Sequence, residues 1–143
     1  RQVGGGGLIS GVGGYLKSIW PNIEVIAASP ENHAVMIKSL EKGEIVKINP
    51  KPTISDGTAG GVEERSITFD YCQNFVDHTI LLTEKEIEEG LIHVLEKERV
   101  LVEGAAGTSV AALIKMQDQL KGKKVGIILR GKNISIDVLK RIL

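Results

Sequence analysis

Four short apolar runs, each followed by a stretch with helical period, constrain this chain more than any other feature. They are EVIAA at 24–28, HTILLT at 78–83, RVLVE at 99–103 and KVGIILR at 124–130. A strand without polar alternation is buried on both faces, and strands of that kind separated by helices belong to parallel sheets. The expected fold class is therefore α/β: a mostly parallel sheet with helices on both faces. The helical stretches fall at 8–19, closed by Pro21, and at 66–76, with a further one from Thr83 onward. Thr83 and Glu86 form a capping-box pair, and Ile87, Leu91, Val94 and Leu95 supply one apolar stripe. Ser29-Pro30 reads as an N-cap with proline in the first helical position, opening a helix to about Leu40. Residues 43–56 read as a surface connection. GAAGTSVAALIKM at 104–116 is a helix of small residues suited to close contact with the sheet, and the chain ends on a helix striped with Ile134, Val138, Leu139 and Ile142.

At 143 residues the chain is one α/β piece, residues 1–143, rather than two domains. Its 18 basic and 18 acidic side chains cancel, and the basic ones are scattered. That balance gives no footprint for nucleic acid or an acidic membrane surface. No apolar run reaches spanning length, and the single cysteine, Cys72, cannot close an internal disulfide. A reducing cytoplasm is the expected compartment.

The feature that points to chemistry is VGGGGLISG at 3–11. Glycine loses more backbone freedom on folding than any other residue, so four in a row need a reason. Placed just before an amphipathic helix, Gly4, Gly5, Gly6 and Gly7 let several amides approach an anion with no Cβ in the way, at the positive end of the helix dipole. The alternative is a flexible leader or close helix–strand packing. Two nucleotide patterns fail here. A dinucleotide fingerprint begun at Gly4 needs glycine where Ile9 stands, and a Walker loop begun at Gly11 needs glycine where Leu16 stands. Lys17 is therefore expected to be a solvated helix residue.

VGGGGLISG resembles the phosphate loop of pyridoxal-phosphate enzymes of the tryptophan synthase β-like fold, in the branch of threonine/serine dehydratases and serine racemases. Three further motifs follow in the family's order: SDGTAGGVEERSITFDYC at 55–72, VEGAAGTSVAAL at 102–113 and ILRGKNIS at 128–135. The resemblance implies β-elimination of L-threonine or L-serine to a 2-oxo acid and ammonia, with pyridoxal 5′-phosphate as cofactor, a small amino acid as substrate and a homo-oligomer as the intact enzyme. It further implies that Gly4 to Gly7 and the amide of Leu8 hold the 5′-phosphate, with Gly57, Glu103 and Arg130 near the cofactor ring. Relatives carry their Schiff-base lysine upstream of the glycine loop, in a context that none of the 13 lysines here reproduces. The chain opens directly on a motif without methionine, so it is expected to be the C-terminal part of a catalytic domain, inactive alone. No catalytic residue is assigned within it.

Several positions keep two readings. Arg130 stands where relatives place serine or cysteine against the pyridine nitrogen. It either donates to an unprotonated ring nitrogen, since a guanidinium has no acceptor, or turns outward. Asp56-Gly57 is equally a backbone turn. Glu103 ends a strand before a glycine-led helix, where sites collect. No metal site is expected, because the positions that bind metal in some relatives read Ser29 and Val35 here. Cys72 and the three histidines are expected to be a packed thiol and surface or strand-end groups. Two other functions remain open: a racemase of the same family, or a non-catalytic phosphate- or nucleotide-binding module.

Overall fold

The structure is a computed structural model that describes residues 2–143. In chain order it contains α1 (Gly7–Ile19), β1 (Ile26–Pro30), α2 (Val35–Lys42), α3 (Ile67–Phe75), β2 (His78–Leu82), α4 (Glu84–Glu98), α5 (Gly104–Lys115), α6 (Gln117–Leu120) and α7 (Ile136–Ile142). Short 3-10 turns lie at Glu31–His33 and Asp56–Thr58.

β1 and β2 run parallel, with Ala27 opposite Thr79 and Leu82 opposite Pro30. Gln2 adds a parallel bridge to Ala28 on the other edge of β1, and the Val3 amide donates to the Ala28 carbonyl at 2.7 Å. Successive strand side chains point to opposite faces, and the two cores follow that alternation. Ala27 packs with Ile9, Ile37, Phe69 and Cys72 from α1, α2 and α3, with Leu81 against this cluster. Ala28 and Leu82 pack with Ile87, Leu91, Ala106 and Val110 from α4 and α5. Helices therefore cover both faces of a parallel sheet, the expected fold class.

The capping box at Thr83 forms in full: Thr83 Oγ1 accepts from the Glu86 amide and Glu86 Oε2 from the Thr83 amide. Ile87, Leu91 and Val94 are buried as their spacing requires. Lys17 is not simply solvated. Its ammonium lies 2.7 Å from Asp77, which also accepts from the Val25 amide, and together they clamp the end of α1 to the entry of β1.

Three expectations need correction. Ser29-Pro30 does not open a helix. Ser29 lies inside β1, its hydroxyl directed to the carbonyls of Val3 and His33, and Pro30 ends the strand, where a residue without an N–H costs no ladder bond. The following helix starts only at Val35, after the 3-10 turn. Residues 99–103 and 124–130 are not strands either. An apolar run becomes a strand only by pairing, and among the described residues no backbone bond joins the two runs; the Glu103 amide donates instead to the carbonyl of Gly131, just past the second run. Residues 124–130 form no ladder with β1: Ile23–Ile26 and Val125–Ile128 line one groove of about 580 Å³, and Val125, Ile128 and Leu129 stay exposed. Lastly, the small residues of α5 serve helix–helix contact as much as the sheet. A Cβ on Gly90 of α4 would fall 2.5 Å from the Gly107 carbonyl oxygen.

Candidate functional site

The bridge of Gln2 to β1 carries the chain to the sheet edge, and Val3 delivers the glycines at its carboxyl end. In open parallel sheets that is where ligands bind. α1 starts at Gly7 with Gly6 as N-cap, and Gly6 holds φ +85°, a left-handed conformation that suits glycine. The first helical bond runs from the Ser10 amide to the Gly6 carbonyl. Among the described residues, the amides of Gly4, Gly5, Gly6, Gly7 and Leu8 donate to none of the backbone or side-chain acceptors.

Three carbonyls of the same loop meet hydroxyl groups, that of Gly6 in the interior and that of Gly5 at the surface. Thr68 Oγ1 donates to the Gly5 carbonyl, and Ser10 Oγ donates to the Gly6 carbonyl at 2.7 Å and faces that of Gly7 at 3.2 Å. The Cys72 thiol lies 3.9 Å from the Gly6 carbonyl oxygen, and burial pushes its pKa up to about 11. Because a trans peptide holds C=O and N–H on opposite sides, each anchored carbonyl fixes the direction of the next amide.

The four glycines differ in what surrounds them. A Cβ on Gly4 would sit 2.9 Å from the Thr58 carbonyl oxygen, and one on Gly6 would meet Met36 Cε at 2.7 Å and Cys72 Sγ at 3.0 Å. Around Gly5 and Gly7 nothing lies within 4 Å of that position. Gly5, Gly7 and Leu8 are exposed while Gly6 is buried. Two glycines thus satisfy packing and two keep an open face, so the packing explanation accounts for half of the run.

The remaining candidates form a chain of contacts leading away from the loop. Gly4 touches Thr58, whose hydroxyl donates to the Ser55 carbonyl and accepts from Ser55 Oγ, closing the 3-10 turn. Gly57, in the same turn, faces the carboxylate of Glu103, with its Cβ position 3.0 Å from Oε1. Glu103 is the N-cap residue of α5 and makes no side-chain cap bond; its carboxylate lies directly against Gly131, which has φ +96°. The N-terminus of α5 is seated by Gly104 packing onto the Ile54 carbonyl. Gly57, Glu103 and Gly131 therefore converge next to the glycine loop, from three segments far apart in sequence. Arg130 is exposed beside them.

Ser10, Ser66, Thr68 and Thr58 escaped the sequence reading. Ser10 had a signal, standing one helical turn after Gly6. Thr68 had none, since 63 residues separate it from its partner Gly5.

Comparison with known proteins identifies the family. The family described as "Pyridoxal-phosphate dependent enzyme" matches residues 2–131. The chain belongs to that family. It is 40% identical over 141 residues to an L-threonine ammonia-lyase of Thermotoga maritima, covering 99% of this chain and 35% of that protein. It is 41% identical over 145 residues to a serine racemase of Dictyostelium discoideum, covering 99% of this chain and 44% of the relative. Among solved structures, the processed form of threonine deaminase isoform 2 from Solanum lycopersicum superposes with a TM-score of 0.88 at 32% identity, over 99% of this chain and 41% of that one. The chain thus spans less than half the length of these relatives. The fold is that of the tryptophan synthase β-like enzymes, here as a partial domain, and the family's cofactor is pyridoxal phosphate. Among the described residues, no helix is long and apolar enough to cross a membrane.

Proposed function

We propose that this chain forms the phosphate-binding part of a pyridoxal-phosphate-dependent ammonia-lyase that converts L-threonine or L-serine to a 2-oxo acid and ammonia. The observation that carries it is the row of amides from Gly4 to Leu8, which among the described residues donate to no protein acceptor, beside carbonyls held by hydroxyl donors. The 5′-phosphate is a dianion, and such a row at a helix start suits it. The open positions at Gly5 and Gly7 are the cradle a Cβ would fill.

When bound, the cofactor supplies an electron sink for carbanion charge; the protein supplies position and electrostatics. In this reading Gly4 to Gly7 and Leu8 bind and orient the phosphate. Gly57 and Gly131 leave room for the carboxylate of Glu103, which would face the cofactor ring and accept a hydrogen bond from a donor there. Arg130 remains a candidate for the ring nitrogen. None of the 13 lysines here stands in the context of the family's cofactor-anchoring lysine, so in this reading the 143 residues alone do not catalyse the reaction.

A second reading, racemisation of serine, is favoured by the 41% identity to the Dictyostelium serine racemase. Incubating the full-length protein with each L-amino acid separates the two. Release of 2-oxobutyrate from L-threonine supports the ammonia-lyase. D-serine from L-serine, without 2-oxo acid, replaces it with the racemase, and absence of both together with no cofactor absorbance rejects the enzymatic reading.

A further inference from the structure

We infer that Thr68, driven by Ser66, is a positioning residue of the phosphate cup, an inference that rests on the function proposed above. Both residues lie at the start of α3, more than fifty residues after the loop they act on. The proton directions follow from the partners alone. The Gly5 carbonyl can only accept, so the single hydroxyl proton of Thr68 goes to it. Thr68 Oγ1 and Ser66 Oγ are 2.7 Å apart, so in that pair Ser66 must be the donor. The order is therefore Ser66 to Thr68 to Gly5.

Two features mark this relay as more than a surface contact. Ser66 is the N-cap residue of α3, where a serine hydroxyl ordinarily accepts from its own helix amides, yet it makes no such bond. Its hydroxyl is turned toward Thr68. Thr68 also packs against the buried side of the loop, 3.2 Å from where a Cβ on Gly6 would stand.

The consequence falls on one peptide group. The Gly5 carbonyl and the Gly6 amide belong to the same planar unit, so a hydrogen bond drawing on the oxygen both fixes the amide's direction and strengthens it as a donor. Ser10 does the same for the next peptide by donating to the Gly6 carbonyl. Thr68, like the Cys72 thiol near the Gly6 carbonyl, comes from α3, a distant segment, so the cup is shaped only when α3 is docked. The Thr68→Val change, which keeps shape and removes the hydroxyl, tests this.

The test uses the full-length protein, with pyridoxal 5′-phosphate and phosphate-free pyridoxal as paired probes. T68V is expected to weaken binding of the phosphorylated form about tenfold, the scale of one lost hydrogen bond, and to leave pyridoxal binding unchanged. T68S should restore it, and S66A should give a smaller loss in the same direction. In cofactor-free protein, hydrogen–deuterium exchange of the peptide spanning the glycine loop should accelerate in T68V and not in T68S. Unchanged affinity for the phosphorylated form in T68V, or an equal loss for both probes that T68S does not rescue, overturns the inference. Wild-type protein that binds both probes equally rejects the phosphate-cup reading itself, a separate outcome.

Discussion

The carboxylate of Glu103 occupies the space that a side chain on Gly131 would need. The two residues are also joined along the backbone, the Glu103 amide donating to the Gly131 carbonyl at 3.1 Å. Gly131 holds φ +96°, so a substitution there meets a steric and a conformational obstacle at once. Gly131→Ala is expected to cost at least about 1–2 kcal/mol from the positive φ alone, plus the displacement of Glu103. Pairing it with Glu103→Ala should recover the steric part and leave the backbone part, a non-additivity that urea unfolding of the four-member cycle measures. Additive losses would place the carboxylate elsewhere.

The glycine loop predicts opposite outcomes for neighbouring substitutions. Gly5→Ala adds a methyl group to open space, so its melting temperature should match the parent, while the methyl stands on the open face where an anion would approach. Gly6→Ala introduces strain at φ +85° and a clash with Met36 and Cys72, and should lower stability by about 1–3 kcal/mol. Thermal melts and pyridoxal 5′-phosphate titration of the two variants separate these effects. A destabilised Gly5→Ala with unaltered cofactor affinity would mean that the open side of the loop faces no ligand.

Acid sensitivity should arise at the clamp between α1 and β1 and at the start of α4. Burial by itself would raise the pKa of Asp77, but the hydrogen bond from Lys17, with that from the Val25 amide, outweighs it and holds the carboxyl below its ordinary 3.8. Glu86 is likewise held below 4.5: burial opposes it, while Lys115 and the two Thr83 bonds prevail. A carboxylate whose folded pKa is depressed stabilises the fold fully above its unfolded pKa. That contribution is lost as pH falls through the folded value. Stability should therefore be insensitive to these groups near neutrality and fall below about pH 4. Asp77→Asn should flatten that acid limb in denaturant titrations at stepped pH. An unchanged slope would show that the Lys17 pair is formed equally in the unfolded chain.

What the sequence made legible was whatever depends on neighbours close in the chain. The Thr83–Glu86 box lies within one helical turn, and the stripe of Ile87, Leu91 and Val94 within three. The glycine loop and its helix were visible for the same reason. Residues 99–103 and 124–130 looked like strands because apolar content reports burial, whereas a ladder needs a partner that the runs cannot name. Ser29-Pro30 misled in a related way: local capping chemistry was present, but pairing with β2 took precedence over it. The proximity of Gly57 and Glu103 was suggested by family resemblance alone, since their spacing carries no period, and Gly131, the third member, was not anticipated: the resemblance pointed to its neighbour Arg130. The anchoring by Thr68 was hidden by its distance in sequence.

The contact between α4 and α5 gives a test of the fold independent of any ligand. Gly90 faces Gly107 across the two helices, and a Cβ at Gly90 would stand 2.5 Å from the Gly107 carbonyl oxygen and 2.9 Å from the Ala111 amide nitrogen. Both atoms are backbone, so no side-chain rotation relieves the overlap and the helices must separate. That movement would loosen Ile87 and Leu91 from Ala106 and Val110, the cluster covering one whole face of the sheet. Gly90→Ala should therefore cost about 1–3 kcal/mol or more, even though alanine favours an isolated helix by about 1 kcal/mol over glycine. Gly60→Ala, at a position with nothing within 4 Å, is the matched control and should be close to neutral. Chemical denaturation of both variants decides the matter: a Gly90→Ala protein as stable as the control would mean that the two helices do not approach as closely as their small residues allow.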